Sequence, residues 1–306
     1  MTKTYDVIII GGSYAGLSAG LQLARARRKV LVIDEGLRRN RFASHSHGFI
    51  TQDGVDPSVI AADARSQLME YSTVDWVSGR AETVQRNGLT TFGQVLFDVM
   101  VEASRYQSRR IILALGVRDV LPEIQGLKER WGKSVFHCPY CHGYELNQGK
   151  IGVIAGSALS MHHALMLPDW GPTTLLLNQA FTPDADQLAA LAARGVVLER
   201  GPVKSITGHA DVRLLDGSCL SFEGLFALAP FEITSQIPQQ LGLDMEESPL
   251  GSIIRTDAMK ETSVPGVFAC GDAARPMASI ALAVADGNLA GVNAHRSLMF
   301  GMKSGE

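Results

Sequence analysis

The chain carries little charge for its size. Lys, Arg, Asp and Glu make up 19% of 306 residues and leave a formal charge of −3. No basic run appears, so no nucleic-acid partner is expected. Long apolar runs are missing too. Val7-Ile8-Ile9-Ile10, near the start, ends in glycines and is far too short for a signal peptide or a membrane span. A soluble, cytoplasmic protein without a membrane partner is therefore expected. Cysteines number only four, too few for a disulfide framework in a chain this long, which fits a reducing compartment. Metal-ligand sets are also absent from the pattern. Cys219 and Cys270 stand alone, and His45 and His47 have no third ligand nearby, so no metal is expected.

Apolar residues are plentiful at 46%, and the length suits two domains of ordinary size. Glycines number 31, and their positions mark the turns. The most informative stretch is Phe136-His137-Cys138-Pro139-Tyr140-Cys141-His142-Gly143-Tyr144-Glu145. Two cysteines separated by two residues serve as a redox dithiol, as half a zinc site, or as the Cys-x-x-Cys-His of haem attachment. Zinc lacks further ligands here, and haem attachment needs export. A redox dithiol is the expectation, with a thiol made more acidic by its partner and by nearby amides.

The N-terminal segment follows a recognisable order. Residues 7–10 form an apolar run, Gly11-Gly12-Ser13-Tyr14-Ala15-Gly16 a glycine turn, and residues 17–28 a helix rich in Ala and Leu. Lys29-Val30-Leu31-Val32-Ile33 then ends in Asp34-Glu35. This is the strand–turn–helix–strand–acid order of a dinucleotide-binding unit, in which backbone approaches a pyrophosphate and the acid meets a ribose. Ser13 replaces the middle glycine of the fingerprint. Asp34 is the expected ribose contact, with Glu35 beside it. The cluster Arg38 to Arg41 offers Arg41 to adenosine or pyrophosphate. The loop of residues 45–54, with His47, Gln52 and Asp53, fits a segment lying over the cofactor. Residues 57–71 read as a helix, and short strands with turns at Gly79, Gly88 and Gly93 run to about Val101. Another apolar strand ends at Gly116, before a charge pair and Pro122 that suggest a domain junction.

A second unit of the same kind begins at Lys150. Its turn places Ala155, Ser157 and Ser160 at the fingerprint positions, so side chains stand where backbone should approach a phosphate. No Lys or Arg occurs between Lys150 and Arg194, although a 2′-phosphate would call for one after the next strand. A working NADPH site is therefore not expected here. A helix over residues 184–194, short strands and an Asp216-Gly217 turn follow. The chain then closes with the apolar strand Val267-Phe268-Ala269-Cys270, the pair Gly271-Asp272, and a helix over residues 279–299 with small residues on one side. Cys270 reads as a packed core residue.

Three motifs match in order and spacing: Gly11 to Gly16, Cys138-Pro139-Tyr140-Cys141, and Phe268-Ala269-Cys270-Gly271-Asp272. Together they make the chain resemble low-molecular-weight, bacterial-type thioredoxin reductases over nearly its whole length. The resemblance implies an α/β fold of two Rossmann-like dinucleotide-binding domains, three-layer ββα, one inserted in the other. Residues 1–117 and 236–306 would form a split FAD domain, and residues 118–235 the dithiol domain. It further implies a homodimer, FAD at the first turn near Gly116 and Gly271, and Asp272 at the ribityl or phosphate region. Cys141 would face the flavin, and Cys138 would attack the disulfide of a thioredoxin-like partner. The family has an aspartate where this chain has His142, which becomes the expected general acid–base. With the NADPH turn altered, the expected donor is another one, for example ferredoxin. The alternatives are a flavin-dependent oxidase of a small dithiol using oxygen and a flavin-binding redox sensor.

Overall fold

The computed structural model describes residues 3–89 and 95–301. Its chain divides into two compact units. The first comprises Met1–Arg39, Ser58–Arg118 and Phe231–Glu306, and the second comprises Asn40–Pro57 and Asp119–Pro230.

In the first unit, β1 (Thr4–Ile10), β2 (Val30–Asp34), β3 (Val74–Ser78) and β6 (Ser104–Leu113) lie side by side and parallel. The strand Val267–Ala269 pairs parallel with the end of β6, while β5 (Val95–Val101) and β4 (Thr83–Leu89) extend the sheet antiparallel. Ile8, Ile9, Leu31, Val32, Ile111 and Ile112 are fully buried, as continuous β-branched and Leu runs require in a sheet covered on both faces. Of the expected turns, Gly79 has positive φ, whereas Gly88, also at positive φ, lies inside β4 at a shift of register between Arg86 and Leu89; Gly93 lies outside the described residues.

Helix α1 (Tyr14–Arg25) packs against the terminal helix Ile280–Phe300 through the small residues anticipated there. A Cβ on Gly287 would stand 2.0 Å from the Ala15 carbonyl oxygen, and one on Gly291 would stand 2.6 Å from that of Ala19. Backbone therefore meets backbone at this crossing. Near the helix's far end, buried Arg110 on β6 donates to the Ser297 hydroxyl and carbonyl, each at 2.7 Å. A guanidinium at a helix C-terminus also meets the negative end of the dipole.

The second unit has its own five-stranded parallel sheet, in the order Val197–Glu199, Thr173–Leu176, Ile151–Ile154, Gly224–Ala227 and Val135–Phe136. Helix α4 (Met161–Met166) follows the altered turn, and α5 (Ala185–Ala193) opens with a capping box between Asp184 and Gln187. A three-stranded antiparallel sheet, Val203–Thr207, Asp211–Leu214 and Cys219–Ser221, adds a second core around Val212 and Leu214. Both units thus carry the strand–turn–helix–strand element that positions a candidate site.

The Gly287 crossing leads to a direct test. Gly287→Ala should cost about 1–3 kcal/mol of stability, because overpacking here meets main chain that cannot rotate away. The measurement is thermal unfolding followed by circular dichroism. The same substitution at Gly242, where a Cβ meets nothing within 4 Å, serves as the control for positive φ alone.

Candidate active site

The first glycine turn is held tightly and keeps its helix end open. Gly11 has φ +105 and donates to the Ile33 carbonyl at 2.8 Å, while Gly12 donates to Asp34 Oδ1 at 2.9 Å. A Cβ at Gly12 would strike Trp76, and one at Gly16 would stand 1.8 Å from the Gly11 oxygen. Ser13 is the N-cap of α1, yet its side chain caps none of the helix amides. A twelve-residue helix thus starts without side-chain capping, in the arrangement that receives an anion. Over Ala15 lies Gly271 (φ +72), where a Cβ would come within 2.9 Å of the Ala15 Cβ. Asp272 follows it and accepts a 3.0 Å charged hydrogen bond from Arg39. This bond brings in a residue that the sequence reading passed over, since it took Arg41 from the same cluster. Arg41 instead stacks over Phe42, at 4.3 Å, in the second unit. Glu35 is exposed, and Gly116 has φ +64 with open space around its missing Cβ.

The second turn is closed upon itself. Gly156 N–H donates to Ser160 Oγ at 3.1 Å, and Leu159 N–H donates to Ser157 Oγ at 3.3 Å. Ser160 is buried, so its hydroxyl is fixed in this role. After Thr173–Leu176 the chain turns through Asn178 and Gln179, both at positive φ, and Asn178 Oδ1 accepts from Val203 N–H at 2.8 Å. Arg194 donates to Asp169 at 2.6 Å and to the Leu165 carbonyl at 3.0 Å. The Gly156 and Leu159 amides and the Arg194 guanidinium thus have acceptors within the protein.

Cys138 and Cys141 form a disulfide across α3 (Pro139–His142), with Cα atoms 5.3 Å apart. Pro139 begins the helix, where its missing N–H is no loss. His142 stacks on Phe136 with centroids 4.3 Å apart, and Phe136 packs against Phe226. Burial, and then the neighbouring His47 and His137, push His142 down to about 4. His142 is therefore neutral at neutral pH. His163 meets Phe226 edge-on; burial, with His137 and His162 adding to it, also lowers His163 to about 4. Its Nδ1 is buried without a partner. Nothing in the spacing of the cysteine motif pointed to His163, because only the sheet brings it near.

His47, Gln52 and Asp53, expected over the cofactor, belong to the same unit as the dithiol. Gln52 N–H closes a turn on Phe49, and His47 lies 3.4 Å from Glu145. Cys219 is exposed, while Cys270 is fully buried, which raises its thiol to about 12 and makes it inert. No cluster among the described residues suits a metal, and none of their helices is long and apolar enough to cross a membrane.

Two Rossmann-like units, one carrying a Cys-x-x-Cys disulfide, define a disulfide oxidoreductase. Residues 5–287 match the pyridine nucleotide-disulphide oxidoreductase family. The chain is 31% identical to the thioredoxin reductase tcpT of Claviceps purpurea, over 96% of this chain and 94% of that one. Among solved structures it is similar to an oxidoreductase from Agrobacterium tumefaciens, with 56% identity, a TM-score of 0.93, and coverage of 97% and 99%. It is also similar to HlmI, at 33% identity, TM-score 0.90, and coverage of 98% and 94%. The chain belongs to the pyridine nucleotide-disulphide oxidoreductase family, in its thioredoxin reductase-like branch of flavoenzymes.

The buried histidines make stability depend on acid. Both are lowered from 6.5 to about 4, so between these values the unfolded chain binds more protons than the folded one. Stability is complete above pH 6.5 and falls as pH drops toward 4. Replacing His163 by Leu should make the urea midpoint fall less steeply between pH 6.5 and about 5.

Proposed function

We propose that the protein is an FAD-dependent thiol–disulfide oxidoreductase that works without NADPH and takes its electrons from a small dithiol. The observation that carries this reading is the contrast between the two glycine turns. The first leaves its helix end without a side-chain cap, and the second occupies its amides with its own serine hydroxyls. The Gly12 and Gly16 cradle that a Cβ would fill, together with Asp34, suits FAD, with the Gly11–Gly16 amides at the pyrophosphate. Arg39 and Asp272 would complete that wall. FAD, when bound, supplies the two-electron acceptor that restores the cysteine disulfide, with dioxygen as the final oxidant.

The altered second turn supports this direction over reduction of a thioredoxin-like disulfide by NADPH or by a protein donor such as ferredoxin. The oxidised enzyme has a disulfide and a base side by side, and a dithiol is what such a pair consumes. His142 takes the proton of one substrate thiol, and the thiolate attacks Sγ of Cys138. The Cys138–Cys141 bond breaks, and its electron pair leaves on Cys141. The second substrate thiol attacks the substrate sulfur of the mixed disulfide, and its proton passes to the departing Cys138 sulfur. The substrate leaves as a disulfide, and the two electrons rest on the cysteine pair.

Anaerobic stopped-flow mixing tests the reading. NADPH should leave the flavin absorbance unchanged, dithiothreitol should bleach it, and oxygen uptake should follow on aeration. Rapid bleaching by NADPH would overturn the proposal. Replacing His142 by Asn should lower kcat/KM for the dithiol by about 10²–10⁴, the usual worth of a general base.

A further inference from the structure

The parallel strands of the first unit end level with one another. Ile33, Ile10, Leu113 and Ala269 stand in one row across β2, β1, β6 and the strand Val267–Ala269. Asp34, the Gly11 turn and the Gly271-Asp272 pair follow from that row, on the carboxyl edge where open α/β sheets take their ligands. Three gaps between strands, about 14 Å in all, separate β2 from the strand that leads to Asp272. An ion pair closes that distance. Gly36, at φ +78, turns the chain after Asp34, and Arg39 then donates to Asp272 Oδ2 at 3.0 Å. Both side chains keep only 18% exposure. The guanidinium also lies over the Phe231 ring, 5.9 Å from its centre. That ring is itself fixed. Phe231 is buried, its N–H donates to the Leu250 carbonyl at 2.8 Å, and a Cβ on Gly251 would stand 3.0 Å from the ring.

We propose that Arg39 is a positioning residue for FAD, an ion-pair clasp that acts through Asp272 to retain the cofactor in this crevice. The proposal rests on the FAD reading. A dinucleotide bound from Asp34 to Asp272 spans the same two ends of the row, so the pair ties together the loops that hold its two halves. Arginine suits the task, because its planar fork fixes the direction of a carboxylate as well as balancing its charge. Without that cation, Asp272 would bring an uncompensated negative charge to a wall that must accept an anionic pyrophosphate. Glu35, Gly36 and Leu37 are exposed, so this loop adds little to the core. The effect of the pair therefore falls on the cofactor rather than on the fold.

The test is FAD retention by the holoenzyme. Purified protein is diluted into flavin-free buffer, and released FAD is followed by its fluorescence. Arg39→Gln should release FAD about tenfold to a hundredfold faster than wild type, the worth of a hydrogen bond to a charged group. Arg39→Lys keeps the cation without the fork and should also release FAD faster than wild type, though by less. In an Asp272→Asn background, Arg39→Gln should add about threefold at most, because the charge it answers has gone. Circular dichroism before dilution checks that each variant keeps the wild-type fold. Release at the wild-type rate from Arg39→Gln, or from Arg39→Lys where the first does not fold, overturns the proposal alone. So does an equal loss with and without the Asp272 carboxylate. A wild-type protein that holds no FAD overturns the FAD reading and the proposal with it.

Discussion

Amide groups at the start of a helix must find acceptors, and the two units of this chain meet that demand in opposite ways. The first turn uses glycine, lets strand and helix approach until a Cβ would collide, and leaves the helix end without a side-chain cap. The second turn keeps the same backbone order but fills two donor positions with serine hydroxyls. One geometry therefore has two chemical outcomes. A phosphate arriving at the second turn would have to displace internal hydrogen bonds. The short α4 adds little dipole of its own.

The dithiol depends on burial in a different sense. Phe136, Phe226 and the sheet beneath them exclude water from one side of His142 and from His163. An imidazole in such a place resists charge and stays neutral at neutral pH. The reactive pair and His142 sit on one short helical turn. That coupling suits a step in which a proton and a sulfur bond change partners together. Cys270 shows the same force without the chemistry: burial, with Asp286 adding to it, raises the thiol and makes it inert.

Residues 40–57 link these two themes. They interrupt the first unit in sequence but belong to the second in space, and they carry His47 to Glu145. A loop with three left-handed residues, Gly48, Thr51 and Gly54, holds this shape through its own backbone bonds. Its histidine thereby becomes part of the dithiol's surroundings.

The sequence by itself determined the local features. Apolar runs ending in glycine marked β1 and Ile151–Ile154, Asp34 closed the first βαβ unit, and Cys-x-x-Cys announced the disulfide. These depend on neighbours along the chain, so spacing alone makes them legible. Serines 157 and 160 could be recognised as foreign to a phosphate turn for the same reason. Only the tertiary structure decided the burial that lowers His142, the partners of His47 and Glu145, and the ion pair of Arg39 with Asp272. In each case the deciding neighbour lies far away in sequence. Desolvation and ion pairing depend on distances through space, which residue order does not contain.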